Sequence, residues 1–242
     1  MVTMTSSPAS EIRVYSGGAP KEVLAALGPE FEKQSGHKVT ITYAVISAMQ
    51  QKLAAGETPD MVLMPVPALE TLVTAGTMRA DPCPALGTVS IGMVVGEGAP
   101  LPDISTTEKL RNVLLNARSV VHANPNNTPS GAHLARVVAQ LGIAEAMQQK
   151  IVHRNALDGG VEAIQKGHAE IGIYPLSEII SVKGIALAGL LPPEQQAAIV
   201  YGAAVLTAAT NPEPAAAFIK FLAAPEHRAV WKHAGFEPPG GS

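Results

Sequence analysis

The sequence predicts an α/β protein of two lobes, each a mainly parallel sheet flanked by helices, with two strands crossing between them as a hinge. Three observations carry this. Short apolar runs alternate with helix-period segments through the first third of the chain. A second such series begins after the Pro-rich stretch "APLPDIS". Two β-rich runs, "GTVSIGMVVGEG" and "AAIVYGAAVLT", bracket that second series. The chain is therefore expected to cross over at about Gly87–Val95 and to return at about Ile199–Thr207. That divides it into lobe I, residues 1–87 and 204–242, and lobe II, residues 88–203.

The first lobe opens with "EIRVYSGG", a β-rich run from Glu11 that ends in glycines. "APKEVLAALGPEFEKQSG" carries Val23, Leu24, Leu27 and Phe31 at helical spacing and stops at Gly36. "HKVTITYAV" alternates as a strand, and "SAMQQKLAAG" is a helix closed by Gly56. "DMVLMPV" is a continuous apolar strand, the pattern of a strand covered on both faces. "PALETLVTAG" is a helix with Gly76 just past its end. One long strand, "GTVSIGMVVGEG", then leads into the second lobe. There, Ser105 and Glu108 of "STTE" have capping-box spacing ahead of the helix "KLRNVLLNA". "SVVHA", "KIVHRN" and "EIGIYPL" read as strands, separated by the helix after "NPNNTPSG" and by the helix "GGVEAIQKG". Past Leu190 the pattern changes to "LPPEQQ" and the strand-like "AAIVYGAAVLT". "PEPAAAFIKFLAAPEHRAVWKHAGF" gives two short helices that complete the first lobe.

With 47% hydrophobic and 15% charged residues among 242, the chain is a folded globule with a sizeable core. Aromatics are only 4%, so Ala, Val, Leu and Ile must build that core. A net charge of −3, with Lys and Arg scattered, argues against nucleic acid and anionic membranes as partners. An anion bound here is held by local geometry. No apolar run approaches the ~20 residues of a membrane span. The lone Cys83 permits no internal disulfide, and in "DPCPAL" it reads as a packed small side chain. No two histidines stand at the i, i+4 spacing of metal ligands on a helix, and the chemistry considered below needs no cofactor. The start, "MVTMTSSPAS", has neither the basic nor the apolar region of a secretory signal. That suits a cytoplasmic protein, or a periplasmic one whose leader has been removed.

Four Gly- and Ser-rich loops fall at strand ends: "YSGGAP", "VISAM", "NTPSG" and "RNALDGG". Ligands of open α/β sheets sit there. A helix start adds unpaired N–H groups and partial positive charge, so the four loops read as an anion site. Gly17 and Gly18 either let the backbone approach a carboxylate or simply make a turn. Ser47 begins a helix, as a cap, a ligand contact or both. His122 ends its strand two residues before "NPNNTPSG" and is either a general base near neutral pH or a locally bonded strand-end residue. His153 and Arg154 are strand neighbours and must face opposite ways. If Arg154 enters the cleft, it offers a fork matched to a carboxylate.

The segments "FEKQSGHKVTITYA", "KLAAGETPDMVLMP", "NPNNTPSGAHLARVVAQLG", "EIGIYP" and "FIKFLAAPEHRAVWKHAGF" resemble the molybdate-binding proteins of the type 2 periplasmic binding-protein superfamily. The resemblance runs from about Glu11 to Phe236. It implies a monomer of two lobes holding a dehydrated oxyanion on backbone N–H groups, two serine hydroxyls and a tyrosine. The first serine falls on Ala19, with Ser16 three residues earlier, and the second on Ile46, with Ser47 one place later. The helix-start donor falls on Ser130, beside Gly131; the second-lobe backbone donor falls near Arg154 and Asn155; the tyrosine is Tyr174. The fold markers stay while the hydroxyls suited to an oxyanion are lost or shifted.

The same family is similar to enzymes of the aconitate isomerase type. That similarity implies binding of a small polycarboxylate and transfer of a proton between its allylic carbons, interconverting cis- and trans-aconitate. Arg154 and the helix start at Ser130 would clamp carboxylates, and Ser47, His122, His153 and Tyr174 are the candidate proton carriers. The alternative is a receptor for molybdate or tungstate that delivers to an ABC permease. A third reading is a non-catalytic sensor of an organic anion.

Overall fold

A computed structural model describes residues 9–81 and 83–239. The leader-free reading of the opening residues concerns 1–8 and lies outside it. Two sheets organise the chain. Among the described residues the first has six strands and the second five.

In the first sheet, β1 (Glu11–Ser16) pairs in parallel with both β2 (Lys38–Tyr43) and β3 (Met61–Pro65). The connections are α1 (Lys21–Ser35) and α2 (Ile46–Ala54), and α3 (Val66–Thr74) follows β3. β3 is buried throughout, and its side chains alternate between two cores. Met61 and Leu63 pack with Val23, Leu27 and Phe31 of α1, whereas Val62 and Met64 pack with Met49 of α2 and Leu69 of α3. Gly36 closes α1 in the left-handed conformation at φ 75, where its missing side chain avoids strain. Gly28 precedes Pro29 inside α1, and the absence of a Cβ there relieves the clash that disfavours helix before proline.

The expected long strand is two strands. β4 (Ala85–Val89) belongs to the first sheet, β5 (Ile91–Gly96) to the second, and the chain passes between them at Ser90. The second series runs through α4 (Thr107–Asn116), β6 (Val120–His122), α5 (Pro129–Gln140), α6 (Ala144–Met147), β7 (Ile151–His153), α7 (Gly160–Gln165) and β8 (Ile171–Pro175). The cap of α4 is Thr106, whose side chain accepts from the Lys109 N–H at 3.2 Å; Ser105, expected there, lies one residue outside. β9 (Ile185–Leu190), not assigned from the sequence, forms the edge beyond β5. The chain returns through Leu191–Ala198 to β10 (Ile199–Val205), then α8 (Pro212–Ala223), α9 (Arg228–His233) and β11 (Phe236–Glu237).

Each crossing is direct, without a covering helix, so the chain enters the other sheet from its far end. β10 is accordingly antiparallel to β3 and β4, and β5 antiparallel to β8 and β9. The crossings are pinned to one another. The Gln196 side chain accepts from the Ile91 N–H at 2.7 Å and donates to the Ile91 and Leu191 carbonyls at 3.1 and 3.3 Å. The C-terminal helices dock on α1 through Phe31, whose ring lies 4.8 Å from Phe218 and 5.3 Å from Phe221.

Candidate functional site

The strand ends of the two sheets meet around a cavity of about 30 Å3. Gly17 and Gly18 after β1 form one part of the wall, and Ala44, Val45 and Ile46 at the start of α2 another. The loop between β6 and α5 contributes Ala123, Thr128, Pro129 and Ser130, and the segment after β7 contributes Asn155, Ala156 and Leu157. Pro175 and Glu178 stand at and just past the end of β8, while Ile199 and Tyr201 come from β10. The loops approach most closely at Gly18, where a Cβ would stand 3.1 Å from both Glu178 Oε1 and Leu157 Cγ. Glycine at this position is what lets the two walls close.

Four residues of the wall carry backbone N–H groups without a partner among the described residues. Gly18, Ile46, Ser130 and Ala156 precede or begin helical turns, and their N–H groups have no acceptor among the described residues. Helix geometry leaves such first-turn donors unpaired, and here four of them share one cavity. The loops that carry them are locked by side chains. Asn155 Oδ1 accepts from the Asn124 N–H at 3.0 Å, and its Nδ2 donates to Asp158 at 2.8 Å. Thr128 Oγ1 caps α5 by accepting from the Gly131 N–H at 3.1 Å. Gly131 itself is required by packing, because a Cβ there would lie 2.4 Å from the Ala123 carbonyl.

Among the described residues the wall carries two ionisable side chains, Glu178 and Tyr201. Glu178 ends the 3-10 turn Leu176–Glu178 directly after β8. Its carboxyl has no hydrogen bond or ion pair with the described residues. Burial alone pushes its pKa up to about 7. The Tyr201 phenol is driven well above its ordinary range by burial, reinforced by the neighbouring Glu178 charge, and stays a neutral donor. Its ring is fixed edge-on to Phe236 at 5.8 Å. Neither residue is among those singled out from the sequence. The available signal was an acidic residue in the apolar run "YPLSEII", just past the C-terminal end of a strand.

Of the residues expected around the ligand, Gly17, Gly18, Ile46, Ser130 and Asn155 line the cavity, and the others do not. Ser16 is fully buried behind it, with its hydroxyl donating to the Gly17 carbonyl at 3.0 Å. Ala19 packs into the core beside Val23, and Ser47 sits inside the first turn of α2, half-buried and off the wall. The Gly131 N–H is committed to its cap. Arg154 is exposed and off the wall, so its guanidinium does not clamp a ligand there, and its N–H, expected as a ligand donor, is spent on the His122 carbonyl at 2.8 Å. The Arg154 carbonyl accepts from the Tyr174 hydroxyl at 2.7 Å. That bond turns the Tyr174 phenol away from the cavity, and burial holds its pKa far above the usual range.

His122 also departs from expectation. It is 1% exposed, its Nδ1 contacts the Ala123 carbonyl at 2.7 Å, and it is not on the wall. Burial, opposed by that hydrogen bond, lowers its pKa to about 4, so it is neutral at physiological pH. His153 is exposed and packs edge-on to it at 4.7 Å. Cys83 is half-buried, and burial raises its thiol pKa, which fits a packed side chain rather than a nucleophile.

Two sheets joined by paired crossings, with a donor-lined cavity between their strand ends, define a two-lobed solute-binding protein. Residues 12–237 match the bacterial extracellular solute-binding protein family, and the chain belongs to it. It is 30% identical to the aconitate isomerase of a Pseudomonas species, over 97% of this chain and 90% of that protein. It is 20% identical to the molybdate-binding protein ModA of Escherichia coli (strain K12), over 93% and 88% of the two chains. The periplasmic molybdate-binding protein of Azotobacter vinelandii shares the fold at a TM-score of 0.81 and 20% identity, over 94% of this chain and 99% of that one.

Proposed function

We propose that this protein binds a small organic polycarboxylate in the inter-lobe cavity and isomerises it by allylic proton transfer, without a cofactor, as in the interconversion of cis- and trans-aconitate. The observation that carries this reading is the pairing of an N–H-lined cavity with one unpartnered carboxyl, Glu178, titrating near neutral pH. Fixed donors suit the charge that builds on a substrate carboxylate when an adjacent carbon loses a proton. A carboxyl present in both protonation states suits the proton itself.

The same features weigh against a tetrahedral oxyanion. Such a ligand needs a donor for each oxygen, and the Ile46 side chain supplies none. A buried oxygen left unpaired costs ~1–3 kcal/mol. The transport reading, with an ABC permease as partner, draws its support from the molybdate-binding relatives and the shared fold.

A proton NMR time course with cis-aconitate in D2O separates the two. Appearance of the trans isomer with deuterium at an allylic carbon is the expected outcome. An unchanged spectrum at high protein concentration, together with thermal stabilisation by molybdate, would decide for the receptor.

A further inference from the structure

The inner cavity has a thin partition. Gly18, Ala156, Leu157 and Glu178 line it and also line a second, outer cavity of about 250 Å3 that reaches Lys21. The inner space of about 30 Å3 is little more than the ~10–15 Å3 that one water molecule requires. It admits the head of one carboxylate and not a six-carbon tricarboxylate. The contact of Gly18 with Glu178 and Leu157 separates the two cavities, and the remainder of such an acid reaches the outer one when that contact parts. The carbons between its carboxylates then pass Glu178. Lys21, the first residue of α1, has no ion pair among the described residues and is available to a distal carboxylate.

Resting on the isomerase reading, we propose that Glu178 is the catalytic proton carrier, with the substrate spanning both cavities, one carboxylate on the inner N–H groups and another beside Lys21. The ionised Glu178 takes a proton from the substrate methylene, and the C–H electron pair becomes the new carbon–carbon double bond. The former π pair takes a proton from the Glu178 acid, whose proton exchanges with solvent, at the other allylic carbon, which restores the carboxylate. Nothing is oxidised or reduced, and one carboxyl serves both carbons from one face.

The competing groups are engaged elsewhere. The Tyr174 hydroxyl is spent on the Arg154 carbonyl, His122 is off the wall, and the Tyr201 phenol stays protonated. The charged and titratable groups packed around Glu178 are Lys21 and Glu22 of α1, Glu162 of α7, Tyr174 of β8 and Tyr201 of β10. Burial dominates over all of them in setting its pKa, which lies near neutrality.

The test compares wild type with Glu178→Gln in cis-aconitate turnover and deuterium uptake across pH 5–9. Binding of tricarballylate, which lacks the double bond, is followed in parallel by calorimetry. Wild type is expected to show kcat/KM rising through an apparent pKa near 7. Glu178→Gln should lose about 10²–10⁴-fold in kcat and lose the pH limb, while still binding tricarballylate. Lys21→Ala should weaken tricarballylate binding about tenfold, as expected for one lost charge contact. If wild type turns over and Glu178→Gln matches it within threefold, the assignment of Glu178 falls and the isomerase reading stands. If wild type neither exchanges nor isomerises, the isomerase reading falls and takes the assignment with it. If Lys21→Ala binds tricarballylate as wild type does, the two-cavity placement is overturned.

Discussion

Tyr174 near the end of β8 and Glu178 just past it have opposite fates. Tyr174 has its hydroxyl satisfied and its ring buried, whereas the Glu178 carboxyl in the cleft has no partner among the described residues. The cost of that arrangement has a sign. Glu178 has a folded pKa near 7, above its ordinary 4.5, so between these values the folded chain holds more protons than the unfolded one. Stability is therefore expected to fall as pH rises from about 4.5 to about 7 and to level off above. Melting temperatures across that window should show the decline in wild type and not in Glu178→Gln. A second residue-scale prediction concerns Gly160. A Cβ there would lie 2.1 Å from the Tyr174 hydroxyl and 2.5 Å from the Arg154 carbonyl. Gly160→Ala should cost about 1–3 kcal/mol by overpacking, and adding Tyr174→Phe should restore part of it in chemical denaturation.

At the scale of elements, the parts join through a few buried polar residues rather than through helix propensity. Asp60, fully buried just before β3, accepts from the Arg13 N–H of β1 and from the Asn211 N–H ahead of α8, each at 2.8 Å. The "PD" of the family segment is thus a bolt holding the C-terminal helices to the central strands. Asp60→Ala leaves two N–H groups unpaired at once, and a loss of about 3 kcal/mol is expected. Urea unfolding would read it, with Asp60→Asn intermediate because its amide retains one acceptor. Sequence periodicity placed α1, α2, α3 and α5 well, because each has one apolar face and a clear stop. It did not find β9, whose residues are mixed in burial, or the break at Ser90. Apolar character continues through Ser90 while the strand changes sheet, and hydrophobic patterning does not register which sheet a strand joins.

For the whole molecule, the crossings decide how the lobes are held. Gln196 grips Ile91 as a neighbouring strand would, so the two crossings move as one unit. Gln196→Ala should leave the sheets intact and loosen this junction. The Ile91 amide, whose acceptor is the Gln196 side chain, should then exchange with solvent about tenfold faster, the equivalent of roughly 1.4 kcal/mol. Unchanged protection of Ile91 by hydrogen exchange would show that the junction is held by the strands alone. By itself, the sequence determined the α/β alternation, most helix stops and the loops that meet at the cleft, because these follow from local periodicity and from glycine and cap chemistry. Only the tertiary structure decided which side chains enter the cavity. Glu178 and Tyr201 are 23 residues apart and attached to different sheets. Their meeting depends on how the crossings set one sheet against the other, and no local pattern encodes that.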